Sequence, residues 1–215
     1  MSLRENIERI KLSGCDLCPE LVSFRKSIVI YKGNPDADVC IVGQAPGENE
    51  DINGVPFVGR AGQLLDSIIK DAGFDPDNDF FFTNVTLCRR ENNEAPSQTH
   101  LANCSSNFKQ LTTKFNKILT VGKVAAVGTA MAWGLNLVNR FQLLSMYKIL
   151  TGGMPYLLDN GKSMYCTYHT SYLLRSGVLN GHCDNKLYQI VRNEIIASKT
   201  DRENVESLEF EGSLF

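Results

Sequence analysis

The sequence predicts an α/β fold, a three-layer α/β/α sandwich around a mostly parallel four-stranded sheet. Three observations carry that expectation. Four short apolar runs, residues 39–42, 80–85, 118–121 and 164–168, have the length of buried strands and are too short for helices. Stretches of helical length and periodicity separate them, and strands that alternate with helices build parallel sheets covered on both faces. The first run opens into a loop dense in Gly and Pro and then a helix, which is how open sheets present a ligand site at strand C-termini.

Taken in order, residues 2–11 fit a helix with Leu3, Ile7 and Ile10 on one side, stopped by Gly14-Cys15-Asp16-Leu17-Cys18-Pro19. Ile28-Val29-Ile30 leans to strand, and residues 32–38 read as a turn. After the first strand, residues 43–59 (GQAPGENEDINGVPFVG) contain four glycines and two prolines. Such backbone is held close to something, and a connection this long is usually functional. The acids Glu48, Glu50 and Asp51 lie inside it. The helix expected over 63–72 repeats Leu64, Leu65, Ile68 and Ile69 on one face and stops at Gly73. The second strand ends at Thr86-Leu87-Cys88-Arg89-Arg90, and a polar loop to Pro96 precedes a helix over about 98–115. The third strand leads to a helix over 123–133, residues 134–155 read as mostly helical, and the fourth strand runs into His169-Thr170-Ser171-Tyr172-Leu173-Leu174-Arg175. A helix over 186–198 closes the fold.

The 215 residues suffice for one well-cored domain, expected over 1–200, with an acidic, disordered tail over 201–215. No apolar run approaches a membrane span, and the charged start (Arg4, Glu5, Glu8, Arg9) excludes a secretory signal, so the protein is expected in the cytoplasm. Seven cysteines in that reducing compartment read as metal ligands plus buried thiols rather than disulfides. The formal charge of −2 argues against nucleic acid until the tail is set aside; residues 1–200 then carry 21 basic and 19 acidic side chains, about +2. A near-neutral body binds DNA when its cations gather on one face.

Cys15 and Cys18 are separated by two residues, Cys88 and Cys104 by fifteen. C-x-x-C brings two thiolates to one metal centre, and the other two must come from elsewhere in the chain; spacing leaves zinc and an iron–sulfur cluster both open. Cys40 and Cys166 lie inside expected strands as buried thiols, and Cys183 beside His182 fits a surface loop. Phosphate-loop readings fail, since Gly122-Lys123-Val124 lacks both the upstream Gly and the Ser or Thr. Of three histidines, His169 alone is placed at a strand end.

GQAPGENEDINGVPFVGRAG, the TNVTLC-RR segment, HTSYLLR and the cysteine spacing together resemble the family 4 uracil-DNA glycosylases, which carry an iron–sulfur cluster. The family's patterns look like GEAPG-x-x-ED-x-x-G-x-PFVG-x-AG, TN-x-x-KCRPP and HPS-x-LLR. Its N-terminal C-x-L-C-x-x-LV-x-x-R is matched by Cys15, Leu17, Cys18, Leu21, Val22 and Arg25. The resemblance covers residues 15 to about 175 in the right order.

The resemblance implies a monofunctional glycosylase that flips uracil out of DNA and hydrolyses its N-glycosidic bond, leaving an abasic site. Phe57 would stack on the extruded base, and Asn84 would read its edge, accepting from N3–H and donating to O4. His169 would hydrogen-bond O2, with the Gly43 and Ala45 backbone completing the uracil-binding wall. Tyr172, Leu173 and Leu174 would fill the gap left in the duplex, and Ser171 and Arg175 would hold phosphates. Cys15, Cys18, Cys88 and Cys104 would hold a structural [4Fe-4S] cluster, with zinc as second choice.

The chain departs from the family pattern at four places: Gln44 stands where a carboxylate is usual, Thr170 and Arg90 each replace a Pro, and Leu87 replaces a Lys. A neutral amide positions water but cannot take its proton, so catalysis is expected from Gln44 and His169 with help from Glu50 or Asp51. The alternative is a weak or inactive paralogue that binds DNA through an iron–sulfur or zinc module. The remaining expectations are a monomer acting on uracil-containing DNA, without a membrane partner. Its C-terminal Glu211-Gly212-Ser213-Leu214-Phe215 resembles peptides that dock into bacterial sliding clamps.

Overall fold

The computed structural model describes residues 1–134, 155–178 and 185–200. Most of the 134–155 stretch, Cys183 with His182, and the 201–215 tail lie outside the described residues. Four parallel strands form the middle of the sheet: β2 (Val39–Gly43), β3 (Phe80–Asn84), β4 (Lys117–Val121) and β6 (Ser163–Thr167). Two-residue antiparallel strands, β1 (Lys32–Gly33) and β5 (Tyr156–Leu157), close the edges, giving six strands in the order β1-β3-β2-β4-β6-β5. The expected parallel core is therefore present, and the two edge strands are additions to it. Residues 28–30 do not make the strand their composition suggests. Val29 and Ile30 are buried, but Val29 N–H donates to the Leu87 carbonyl (2.8 Å) and the Ile30 carbonyl accepts from the Thr83 hydroxyl (2.7 Å), while Lys32–Gly33 takes the edge of β3.

Period-two alternation in the strands divides the core between two faces. Val39, Ile41, Phe80, Phe82, Leu119 and Tyr165 face helix α4 (Arg60–Asp71), through Leu64, Leu65, Ile68 and Ile69, and the closing helix α8 (Lys186–Lys199), through Tyr188, Val191 and Ile195. Cys40, Val42, Phe81 and Ile118 face α1 (Leu3–Leu12), α5 (Gln98–Thr112) and α6 (Lys123–Trp133). Helices thus cover both sides, as three layers require. Capping explains where α1 and α5 begin, since the Ser2 and Ser97 hydroxyls accept from the backbone N–H of Glu5 and His100.

The strand order places β3 and β4 on opposite sides of β2, so the chain reverses direction across the sheet beside β2. Ligand sites of open α/β sheets lie at such a reversal, outside the strand C-termini. Three short helices stand at that end or near it: α2 (Pro19–Val22), α3 (Glu48–Asn53) and α7 (Thr170–Arg175). α3 lies inside the expected loop, where Glu48, Glu50 and Asp51 in its first turn complement the helix dipole.

Candidate active site

A cavity of about 420 Å³ opens at the C-terminal ends of β2, β3 and β6, large enough for a small-molecule fragment such as a nucleobase. Gly43, Gln44, Ala45, Glu50, Phe57, Asn84, His169, Ser171 and Arg175, drawn from four separate stretches of chain, line it. Asn84 is the last residue of β3, buried and in register with Gly43 on β2. The close approach is possible because residue 43 has no side chain. A Cβ there would overlap Asn84 Oδ1 and lie 2.7 Å from Phe57 Cζ. Phe57 has a left-handed backbone (φ 58°), a strained state for an aromatic residue of the kind that accompanies functional sites. Its ring packs 5.4 Å from that of Phe82 in the core below.

His169 follows β6 and caps α7, its Nδ1 accepting the Ser171 N–H at 3.1 Å. With Nδ1 used as an acceptor, the neutral ring carries its proton on Nε2 and offers a donor there. Burial, and after it the Arg175 guanidinium, push the imidazole pKa down to about 4, so the ring is neutral at physiological pH. Gly122 (φ 92°), between β4 and α6, packs against it, and a Cβ there would lie 2.9 Å from His169 Cβ. On α7, Ser171 and Arg175 are one turn apart and both reach the cavity.

Leu173, between them, points the other way. It is 0% exposed in the core against α4, so a base-gap role for it is corrected: the helix would have to unpack to deliver it. Leu174 is half-buried against the same cluster, and Tyr172, 40% exposed with its ring 5.6 Å from that of Tyr168, is the member of the triplet open to a partner.

The two carboxylates expected to assist water are tied to backbone. Glu50 Oε1 accepts from Gly59 N–H (2.6 Å) and Oε2 from Gly47 N–H (3.1 Å), which closes the loop that carries Phe57. Asp51 is buried outside the cavity lining and accepts from the Lys26 and Ser27 amides at 3.0 Å. Glu50 stays on the cavity wall in a clamping position, and Asp51 leaves the site. Sequence reasoning missed Asn93 and Glu94, which also line the cavity; the polar loop that carries them offers no periodicity to read. It also gave no role to His100, which is buried with Nε2 2.5 Å from Glu20 Oε1 and links α5 to α2.

Cys88 and Cys104 lie close enough to Cys15 and Cys18 to feel their charge. Burial pushes Cys104 up to about 12 and raises Cys88, and the nearness of Cys15 and Cys18 raises both further. Donors surround them. Arg25 Nη1 donates to Cys88 Sγ (3.0 Å), and its Nη2 to the carbonyls of Gly14 (3.0 Å) and Cys15 (2.7 Å). Asn103 Nδ2 donates to Cys18 Sγ (3.4 Å) and Asn107 Nδ2 lies 3.9 Å from Cys15 Sγ. Partly buried cysteines with N–H donors beside their sulfurs have the surroundings that thiolate ligands of an inorganic centre use. Among the described residues no three His, Cys, Asp or Glu side chains are gathered as around a single ion. Cys40 and Cys166 are buried in the sheet, as expected, with burial raising both thiols.

Comparison with known proteins agrees with this arrangement. The family model of the uracil DNA glycosylase superfamily matches residues 30–192. A type-4 uracil-DNA glycosylase of Thermotoga maritima is 33% identical over 193 residues, covering 90% of this chain and 91% of its own. One from Pyrobaculum aerophilum is 39% identical over 193 residues, covering 87% and 92%. A third, from Saccharolobus solfataricus, is 44% identical over 103 residues, 47% of each chain. The cavity at the β2 reversal thus sits in a chain that belongs to the uracil-DNA glycosylase superfamily, in its type-4 branch.

Proposed function

We propose that the protein releases uracil from DNA by hydrolysing the N-glycosidic bond, leaving an abasic site. The observation that carries the reading is the convergence of Phe57, Asn84 and His169 on one cavity. An extruded uracil enters with its face on Phe57. The Asn84 amide accepts from N3–H and donates to O4, a pattern that cytosine reverses. As the C1′–N1 bond lengthens, negative charge grows on O2, where the Nε2–H of neutral His169 and the Gly43 to Ala45 backbone meet it. Gln44 orients water toward the sugar. Ser171 and Arg175 hold phosphates, and Tyr172 enters the gap left in the stack.

Cys15, Cys18, Cys88 and Cys104 would hold a [4Fe-4S] cluster. The N–H groups of Arg25 and Asn103 that donate to Cys88 Sγ and Cys18 Sγ suit thiolate ligands, and the resemblance favours the cluster over zinc. When bound, the cluster supplies covalent ties between the N-terminal loop, the end of β3 and α5.

One preparation tests both parts. The purified protein should be brown, with broad visible absorbance lost in Cys104→Ser, and should convert uracil-containing oligonucleotides to abasic, alkali-labile products. Asn84→Ala should reduce release roughly 100-fold. Absence of release, or release indifferent to Asn84→Ala, rejects the reading.

The proposal further has one domain over residues 1–200 acting as a monomer in the cytoplasm, where thiols stay reduced. Among the described residues no helix is long and apolar enough to cross a membrane. It also has Gly212 to Phe215 docking into a sliding clamp, so deleting those four residues should abolish co-elution with the clamp; unchanged co-elution removes the idea.

A further inference from the structure

Hydrolysis of a glycosidic bond builds positive charge on the sugar, so an anion near C1′ lowers the barrier. The cavity position that follows Gly43 is Gln44, which supplies no charge. Two carboxylates line the cavity, Glu50 and Glu94. Each oxygen of Glu50 already accepts a backbone N–H, from Gly59 and from Gly47, and its charge serves the loop. Glu94 has no such tie. Its Oε2 lies 2.8 Å from Arg90 Nη2 in a pair with both partners in contact with solvent, a weak attachment that substrate can displace.

The turn that presents Glu94 is strained. Asn92 and Asn93 are both left-handed (φ 53° and 55°), and Asn93 Oδ1 is held by Arg89 Nε at 2.8 Å. Consecutive left-handed residues other than Gly are disfavoured and persist where the surroundings enforce them. A carboxylate at the mouth of a cavity that must meet a polyanion also opposes binding. Both costs fall on the one cavity-lining carboxylate free of backbone amides.

We propose that Glu94 is the catalytic carboxylate of this site, acting where Gln44 cannot. The inference rests on the uracil-release reading above. As the C1′–N1 bond breaks, its electron pair leaves with uracil; the water oxygen bonds to C1′, and the water proton passes to Glu94, which returns it to solvent. The competing account gives Glu94 a positioning role only, holding Arg90 against a DNA phosphate.

The test measures single-turnover uracil release and DNA affinity for the wild type, Glu94→Gln, Arg90→Gln, Gln44→Glu and the double variant Gln44→Glu/Glu94→Gln, with folding checked by thermal melts. Glu94→Gln is expected to slow release about 100-fold while DNA affinity stays the same or rises. Arg90→Gln should weaken affinity and leave the rate constant near that of the wild type. In the Gln44→Glu background, where a carboxylate is restored, Glu94→Gln should cost less than tenfold. The proposal fails if Glu94→Gln stays within threefold of the wild type, if its loss lies in affinity and is matched by Arg90→Gln, or if Gln44→Glu does not relieve it. Release by the wild type with an indifferent Glu94→Gln overturns this inference alone; no release by the wild type overturns the function as well.

Discussion

Replacing Gly43 with Ala is expected to cut uracil release by at least two orders of magnitude while leaving the sheet intact. β2 is paired on both sides, to β3 and to β4, and cannot retreat to make room for a methyl group. The added Cβ would fall on Asn84 Oδ1 and on the edge of the Phe57 ring, so the side chains rather than the backbone must move. Overpacking of this kind costs roughly 1–3 kcal/mol of stability. The larger effect is functional, because the two displaced groups are the ones proposed to read and to stack the base. Losing a well-placed hydrogen-bonding group in such a site costs about 3 kcal/mol in the transition state. Gly43→Ala should therefore resemble Asn84→Ala in rate and exceed it in the loss of substrate affinity, since Asn84→Ala leaves Phe57 in place. Single-turnover kinetics beside a thermal melt would check this; activity within threefold of the wild type in a folded Gly43→Ala protein would contradict the proposed base position.

How far the sequence foretells this site depends on the length of the element carrying each residue. β2, β3, β4, β6 and the helices of ten or more residues were legible because each repeats its apolar pattern several times. α6, expected over 123–133, is observed as Lys123–Trp133. α3 and α7 have six residues each, fewer than two turns, too few to establish a period. That one omission accounts for the error at Leu173. Wound into a helix, residues 171–175 send Ser171 and Arg175 to the cavity and Leu173 to the core. The edge strands were hidden for another reason, since two residues pair only because β3 or β6 is there to receive them. Asn84 and His169 at strand ends, and Phe57 in the loop after α3, share one cavity and carry motifs that the sequence displays, whereas the engagement of Glu50 and Asp51 with backbone amides is a tertiary fact that composition does not encode. Glu94 was missed because nothing in a polar loop distinguishes the residue that reaches a cavity lined by other stretches of chain.

Removing the His169 ring is the second change with a large expected effect, and its pH dependence separates it from a packing defect. His169→Ala should lower the single-turnover rate by about 3 kcal/mol of transition-state stabilisation, roughly 100-fold. In the intact protein, burial and the Arg175 charge hold the imidazole pKa down to about 4. The ring therefore stays neutral, with Nε2–H as donor, from alkaline pH down to that value. Below it the second proton must go to Nδ1, which expels the Ser171 N–H it now accepts and disturbs the start of α7. An inflection assigned to His169 is accordingly expected at about 4 rather than near the ordinary histidine value of about 6.5. Stability follows a related course with a definite sign. Between about 6.5 and 4 the unfolded chain binds a proton at His169 that the folded chain refuses, so this residue erodes stability as pH falls through that window and no further once both states are protonated. Arg175→Gln removes the smaller of the two causes and should move the inflection upward without bringing it to 6.5, because burial remains. Activity profiles of the wild type and Arg175→Gln, with the ring titration followed by NMR, would measure both shifts. A titration of His169 near 6.5 in the folded wild type would contradict the buried setting inferred for the ring and would charge it across the acid range in which a neutral donor is expected.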